Sequence, residues 1–98
     1  MAITFIARMK VYAEKEKQFR QLCHHLEAAV TKAEPDTLFY KFYRLDDPLH
    51  YAVIESFKDE AAEEVHMNAE HFKKYGPDMI ACLDGGYHRE YLHPIEPE

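Results

Sequence analysis

The chain of 98 residues predicts an α+β domain in the order strand, helix, strand, strand, helix, strand. Three observations carry that expectation. Four short runs rich in β-branched and aromatic residues read as strands, with period-two faces assigned in the first three. Two longer runs between them place apolar residues at steps of three and four, the period of an amphipathic helix. Breaker clusters at Glu34-Pro35-Asp36, Asp46-Asp47-Pro48 and Asp84-Gly85-Gly86 fall between the runs.

Ile3 to Lys10 is the first strand, with Ile3, Phe5, Ala7 and Met9 on one apolar face. A helix follows from Glu14 to about Ala33, its stripe formed by Phe19, Leu22, Cys23, Leu26, Ala29, Val30 and Ala33. Pro35 ends it, because proline lacks the amide donor and biases the preceding residue away from helix. Thr37 to Arg44 is the second strand, with Leu38, Tyr40 and Phe42 on one side and Phe39 and Tyr43 on the other. Asp46-Asp47-Pro48 turns the chain into a third strand, His50 to Phe57, making a hairpin.

Asp59 is suited to cap the second helix, with Glu60 and Glu63 favourably placed in its first turn. Its expected stripe is Ala61, Ala62, Val65, Ala69 and Phe72, which puts His66 and His71 on the two borders. Asn68 is expected to cap a fresh segment and Gly76-Pro77 to interrupt again, so this region reads as several short pieces. Tyr87 to Leu92 is the last strand, and residues 93–98 form a proline-rich tail. The order is that of a ferredoxin-like βαββαβ domain: a four-stranded antiparallel sheet with helices on one face. Ile6, Phe39, Tyr43 and Ile54 then line the other face, which argues for a homodimer packed sheet to sheet.

Composition narrows the function. Twelve Lys and Arg against 18 Asp and Glu give a net charge of -6 without long single-sign blocks, against a nucleic-acid or anionic-membrane partner. The first apolar run is cut by Arg8 and Lys10, too short and too charged for a signal core or a membrane span, so a cytoplasmic protein is expected. Cys23 and Cys82 lack CxxC or Cys/His ligand spacing and read as buried reduced thiols. No GxSxG, P-loop, GxGxxG or HExxH motif is present.

The stretch from Glu55 to Phe72 holds most of the candidate chemistry. Histidine ionises near neutrality, with an unperturbed pKa of ~6.5, so His66 and His71 beside aromatic residues are candidates for proton transfer. Their spacing of five is wrong for a metal-binding pair one turn apart, and no third ligand is evident, so no metal site is expected. Glu55 lies on an otherwise apolar strand face and needs a partner or water. It either orients a histidine or touches a ligand, or else pairs with Arg8, Arg44 or Arg89. Tyr40, Phe42, Tyr51, Phe72 and Tyr75 are candidates to wall a flat cavity for an aromatic ligand.

Glu34-Pro35-Asp36-Thr37-Leu38-Phe39-Tyr40, Glu55-Ser56-Phe57-Lys58-Asp59 with Ala61-Ala62, and His66 with His71-Phe72 resemble the antibiotic biosynthesis monooxygenase domain family, in particular its small quinol monooxygenase-like members. The resemblance spans nearly the whole chain and implies a dimeric α/β barrel. It implies an oxygenase without cofactor that acts with dioxygen on electron-rich phenols, quinols or polycyclic aromatics. His66 is then the proton-transferring residue, and His71 and Phe72 neighbours that shape the pocket; beside this, our own reading of the strand face makes Glu55 an orienting carboxylate. Asp36 stands where the family usually has glycine, and Phe57 where tryptophan is common. The family's haem-degrading branch uses an Asn, Trp and His set that is not found here. Two alternatives on the same scaffold are a non-catalytic small-molecule-binding dimer and an isomerase of a small phosphorylated sugar signal. The isomerase would use His25 with His66 and a cationic lining from Arg8, Arg44 or Arg89.

Overall fold

In the computed structural model, which describes residues 1–97, the elements are β1 (Ile3–Lys10), α1 (Glu16–Ala33), β2 (Thr37–Arg44), β3 (His50–Phe57), α2 (Glu60–Met67), α3 (Glu70–Ala81) and β4 (His88–Leu92). A single 3-10 turn, Ala13–Lys15, leads into α1. Glu98, the end of the expected tail, lies outside the described residues. The strands form one antiparallel sheet in the order β2-β3-β1-β4, the ferredoxin-like arrangement.

Alternation along the strands sends Phe5, Ala7 and Met9 of β1 and Tyr51, Val53 and Phe57 of β3 to the same face. There they meet Phe19, Leu22, Leu26 and other α1 residues in one buried cluster. Phe5, Phe19 and Phe57 are almost fully enclosed, each contributing roughly 1.5–3 kcal/mol by leaving water. Cys23 and Cys82 are free and buried, as their spacing predicts. The opposite face pairs Ile6 with Ile54 and Thr4 with Ser56, while Phe39 and Tyr43 remain 42% and 39% exposed.

Four local expectations need correction. A β-bulge between Thr37 and Phe39 takes Leu38 out of the alternation, so it is exposed rather than beside Tyr40 and Phe42. In α2 the inward side chains are Ala62 and His66, one turn apart, whereas Val65 is 60% exposed. His66 therefore occupies the centre of the buried face and not its border. The break after α2 falls where expected, but Asn68 does not cap α3. Its amide donates back to the Glu64 carbonyl, and Ala69 holds the N-cap position without a side-chain bond. Finally, α3 runs through Gly76-Pro77 to Ala81. Pro77 lies on the exposed side, where the lost backbone bond to the Lys73 carbonyl is cheapest. Asp59 does cap α2, accepting from the Ala62 amide at 2.9 Å.

Candidate active site

The centre of the site is Glu34, which the sequence presents as part of a helix breaker and of a family-like stretch but not as a candidate site residue. Helix α1 stops at Ala33 before Pro35, and Glu34 becomes its C-cap, its own amide still bonded to the Val30 carbonyl. Its side chain turns inward and is buried. One carboxylate oxygen accepts the Thr37 hydroxyl at 2.7 Å, and both oxygens lie 3.0 Å from Nδ1 of His66. Nε2 of His71 bonds to the same carboxylate. The α2–α3 break makes this convergence possible, because an unbroken helix would aim residues five apart in different directions. The turn after Glu34 accepts Asp36 in place of glycine because no positive φ is required there, and the Asp36 carbonyl accepts the Lys58 amide at 3.0 Å.

His66 is only 1% exposed and packs against the rings of Tyr40, Phe57 and Phe72 at centroid distances of 5.0, 5.2 and 5.0 Å. A carboxylate only accepts, so Nδ1 of His66 carries the proton and Nε2 keeps the bare lone pair. Nε2 is buried and has no hydrogen-bond partner among the described residues. The atom facing it is Oε1 of Glu55 at 3.6 Å, beyond a hydrogen bond. The contact that orients His66 therefore comes from Glu34, and Glu55 sits at the opposite ring nitrogen.

Burial and hydrogen bonding set the protonation states. Desolvation works to raise the pKa of Glu34, but hydrogen bonds from Thr37, His71 and His66 overcome it and hold the group below the usual carboxylate range. Desolvation lowers His66, against the opposing pull of Glu34, and keeps the imidazole neutral. Desolvation also raises Glu55 to about 8, with Arg89 opposing and Glu63 and Glu34 adding to the rise. Tyr40 is likewise raised, chiefly by burial.

The Glu55 shift has a stability consequence. The folded chain holds the proton more tightly than the unfolded chain, so this contribution is full below the ordinary value of 4.5 and is lost as pH rises to about 8. Glu55→Gln should therefore be more stable than the parent at pH ~9, by on the order of 3 kcal/mol, and nearly equal at pH ~5. Urea unfolding at the two pH values measures the difference.

A cavity of about 510 Å³ opens between the inner sheet face and α3. Glu55 stands on its wall with Tyr40, Phe42, Phe72, Met79 and Arg89. His66 and His71 are not on that wall: His66 lies behind Glu55, and His71 faces Glu34. Tyr51 and Tyr75, expected to line the pocket, do not reach it. The Tyr51 hydroxyl is held by Arg20 and donates to Glu16 at 2.8 Å, while the Tyr75 ring stacks on His25 at 5.6 Å. A hollow of about 610 Å³ near Met1, Glu60 and Leu92 touches none of the cluster. Among the described residues no helix is long and apolar enough to cross a membrane.

Fold and site together define a ferredoxin-like α+β domain whose largely apolar cavity is backed by a buried carboxylate–histidine cluster. The model of the antibiotic biosynthesis monooxygenase family matches residues 2–77, and the chain belongs to that family. Among solved structures, a conserved protein from Methanosarcina mazei Go1 is similar at 30% identity, with 94% of this chain and 91% of that chain covered and a TM-score of 0.83. An antibiotic biosynthesis monooxygenase of known crystal structure is 26% identical, covering 98% of this chain and 100% of that one, with a TM-score of 0.87. Rv0793 from Mycobacterium tuberculosis, 20% identical over 99% and 98% of the two chains with a TM-score of 0.87, shares the fold. A comparison with curated proteins finds no match.

Proposed function

We propose that this protein is a cofactor-independent monooxygenase that oxidises an electron-rich aromatic, such as a quinol, phenol or polycyclic anthrone, with dioxygen. The observation that carries the reading is the alignment of Glu55, on the wall of an aromatic cavity, with the bare Nε2 of buried His66 and with Glu34 behind it. A phenolic proton leaves to the Glu55–His66 pair, and Glu34 stabilises the imidazolium that forms when His66 holds it. The resulting anion is a far better electron donor to dioxygen. Its carbon and dioxygen combine to a hydroperoxide on reprotonation, and loss of water leaves one oxygen atom in the product as a carbonyl. Tyr40, Phe42 and Phe72 hold the ring system by contact.

An oxygen-electrode assay with a panel of naphthoquinols and anthrones tests the reading. Uptake stoichiometric with substrate supports it; tight binding of these aromatics without uptake leaves a non-catalytic binding dimer instead. The sugar-phosphate isomerase is disfavoured, because of its three candidate arginines only Arg89 lines the cavity, and Arg8 is paired with Glu90 at 2.6 Å. A homodimer through Ile6, Ile54, Phe39 and Tyr43 belongs to the same proposal, supported by the exposure of the two aromatic rings. Light scattering after size exclusion should give twice the chain mass of 11.6 kDa, and a monomer would remove it.

A further inference from the structure

From the convergence of Glu34, His66 and His71, we propose that these residues form a binding site for one divalent transition-metal ion of the Zn²⁺ class. The sequence offers only two histidines at an unsuitable spacing. The fold adds the third donor from a segment 32 residues away and, through the α2–α3 break, turns the second histidine toward it.

One carboxylate oxygen, Nδ1 of His66 and Nε2 of His71 all lie within 4.8 Å of one another. Tetrahedral ligands at ~2.1 Å from an ion stand about 3.4 Å apart, so a small adjustment suffices. A set of two imidazoles and one carboxylate suits Zn²⁺ and Co²⁺, and leaves a fourth position for water or an exogenous ligand. All three side chains are largely enclosed, with His71 the most accessible at 13%.

The second nitrogen of His66 supplies an independent observation. A metal-bound imidazole normally donates its other N–H to a carboxylate. Here Nε2 is buried, unpartnered among the described residues and 3.6 Å from Oε1 of Glu55, which is the acceptor that metal binding calls for. Binding at Nδ1 moves the His66 proton to Nε2, where it points at Glu55. In that state His66 cannot take a proton from Glu55. The consequence, which rests on the oxygenase reading, is that the ion silences the base, so metal-loaded protein is the inactive form.

The test is a titration of chelator-stripped, full-length protein with Co²⁺, followed by its visible d–d spectrum, with Zn²⁺ displacing it. One equivalent per chain with a tetrahedral spectrum is expected. His71→Ala and Glu34→Gln, each checked for folding by circular dichroism, should each weaken binding at least tenfold, whereas His24→Ala and His93→Ala should leave it unchanged. No stoichiometric binding, or binding that survives both His71→Ala and Glu34→Gln, overturns the site. The titration does not read turnover, so the metal site stands or falls separately from the oxygenase assay. Oxygen uptake that persists undiminished in fully loaded protein removes the inhibitory role.

Discussion

Replacing His66 with alanine is expected to lower kcat/KM for oxygen uptake by ~10²–10⁴-fold, the usual worth of a positioned proton acceptor. The expectation follows from how fully the imidazole is constrained. Three aromatic rings fix its plane, Glu34 fixes its tautomer, and its free nitrogen faces Glu55 on the cavity wall. Binding of an aromatic inhibitor, read by tyrosine fluorescence, should change much less than the rate, because Tyr40, Phe42 and Phe72 still line the cavity. His66→Gln retains a donor for Glu34 and separates lost chemistry from lost folding. Equal rates for His66→Ala and the parent would end the assignment. The assay should be run with chelator present, so that an adventitious ion on Glu34 does not mask the base.

Glu34→Ala is expected to be the most damaging polar substitution for stability, costing about 2–4 kcal/mol in urea unfolding. One carboxylate serves the Thr37 hydroxyl and both histidines, and its removal leaves the buried Nδ1 donor of His66 unpaired and takes a partner from the half-buried Thr37 and His71. The pH dependence has a definite sign. Because the folded-state pKa of Glu34 is lowered, its contribution is present above the ordinary carboxylate value and is lost as pH falls through the folded value. Acid should thus destabilise the parent more steeply than Glu34→Gln. Glu55 acts in the opposite direction, losing its contribution as pH rises to about 8. The parent should therefore be most stable at mildly acidic pH, and a stability profile that rises from pH ~6 to ~9 would contradict the protonated, buried state assigned to Glu55.

Much of this architecture is legible in residue patterns because each pattern reports a local cause. Alternation along Ile3 to Lys10 and His50 to Phe57 follows from a strand's period of two, and both strands form with those bounds. Asp59 caps α2 through a bond three residues long. The helix wheel of α2 misleads because hydrophobicity alone ranks Val65 above His66. Tertiary contact reverses the order, since a histidine whose polar atom meets Glu34 can be buried among Tyr40, Phe57 and Phe72. Tyr51 and Tyr75 miss the cavity for a related reason. Their spacing is that of core residues, but the Tyr51 hydroxyl finds Arg20 and Glu16, and the Tyr75 ring finds His25.

By itself the sequence determined the order of elements, the antiparallel sheet with one helix-covered face and the break near Asn68. The tertiary structure alone decided that Glu34 is the residue on which both histidines converge, that it rather than Glu55 orients His66, and that Glu55 stands between His66 and the cavity. A cap or a strand face depends on neighbours within a few residues. The meeting of Glu34 with His66 depends on how the end of α1 and the inner side of α2 both pack over β2, across 32 residues of chain. No local periodicity encodes that distance.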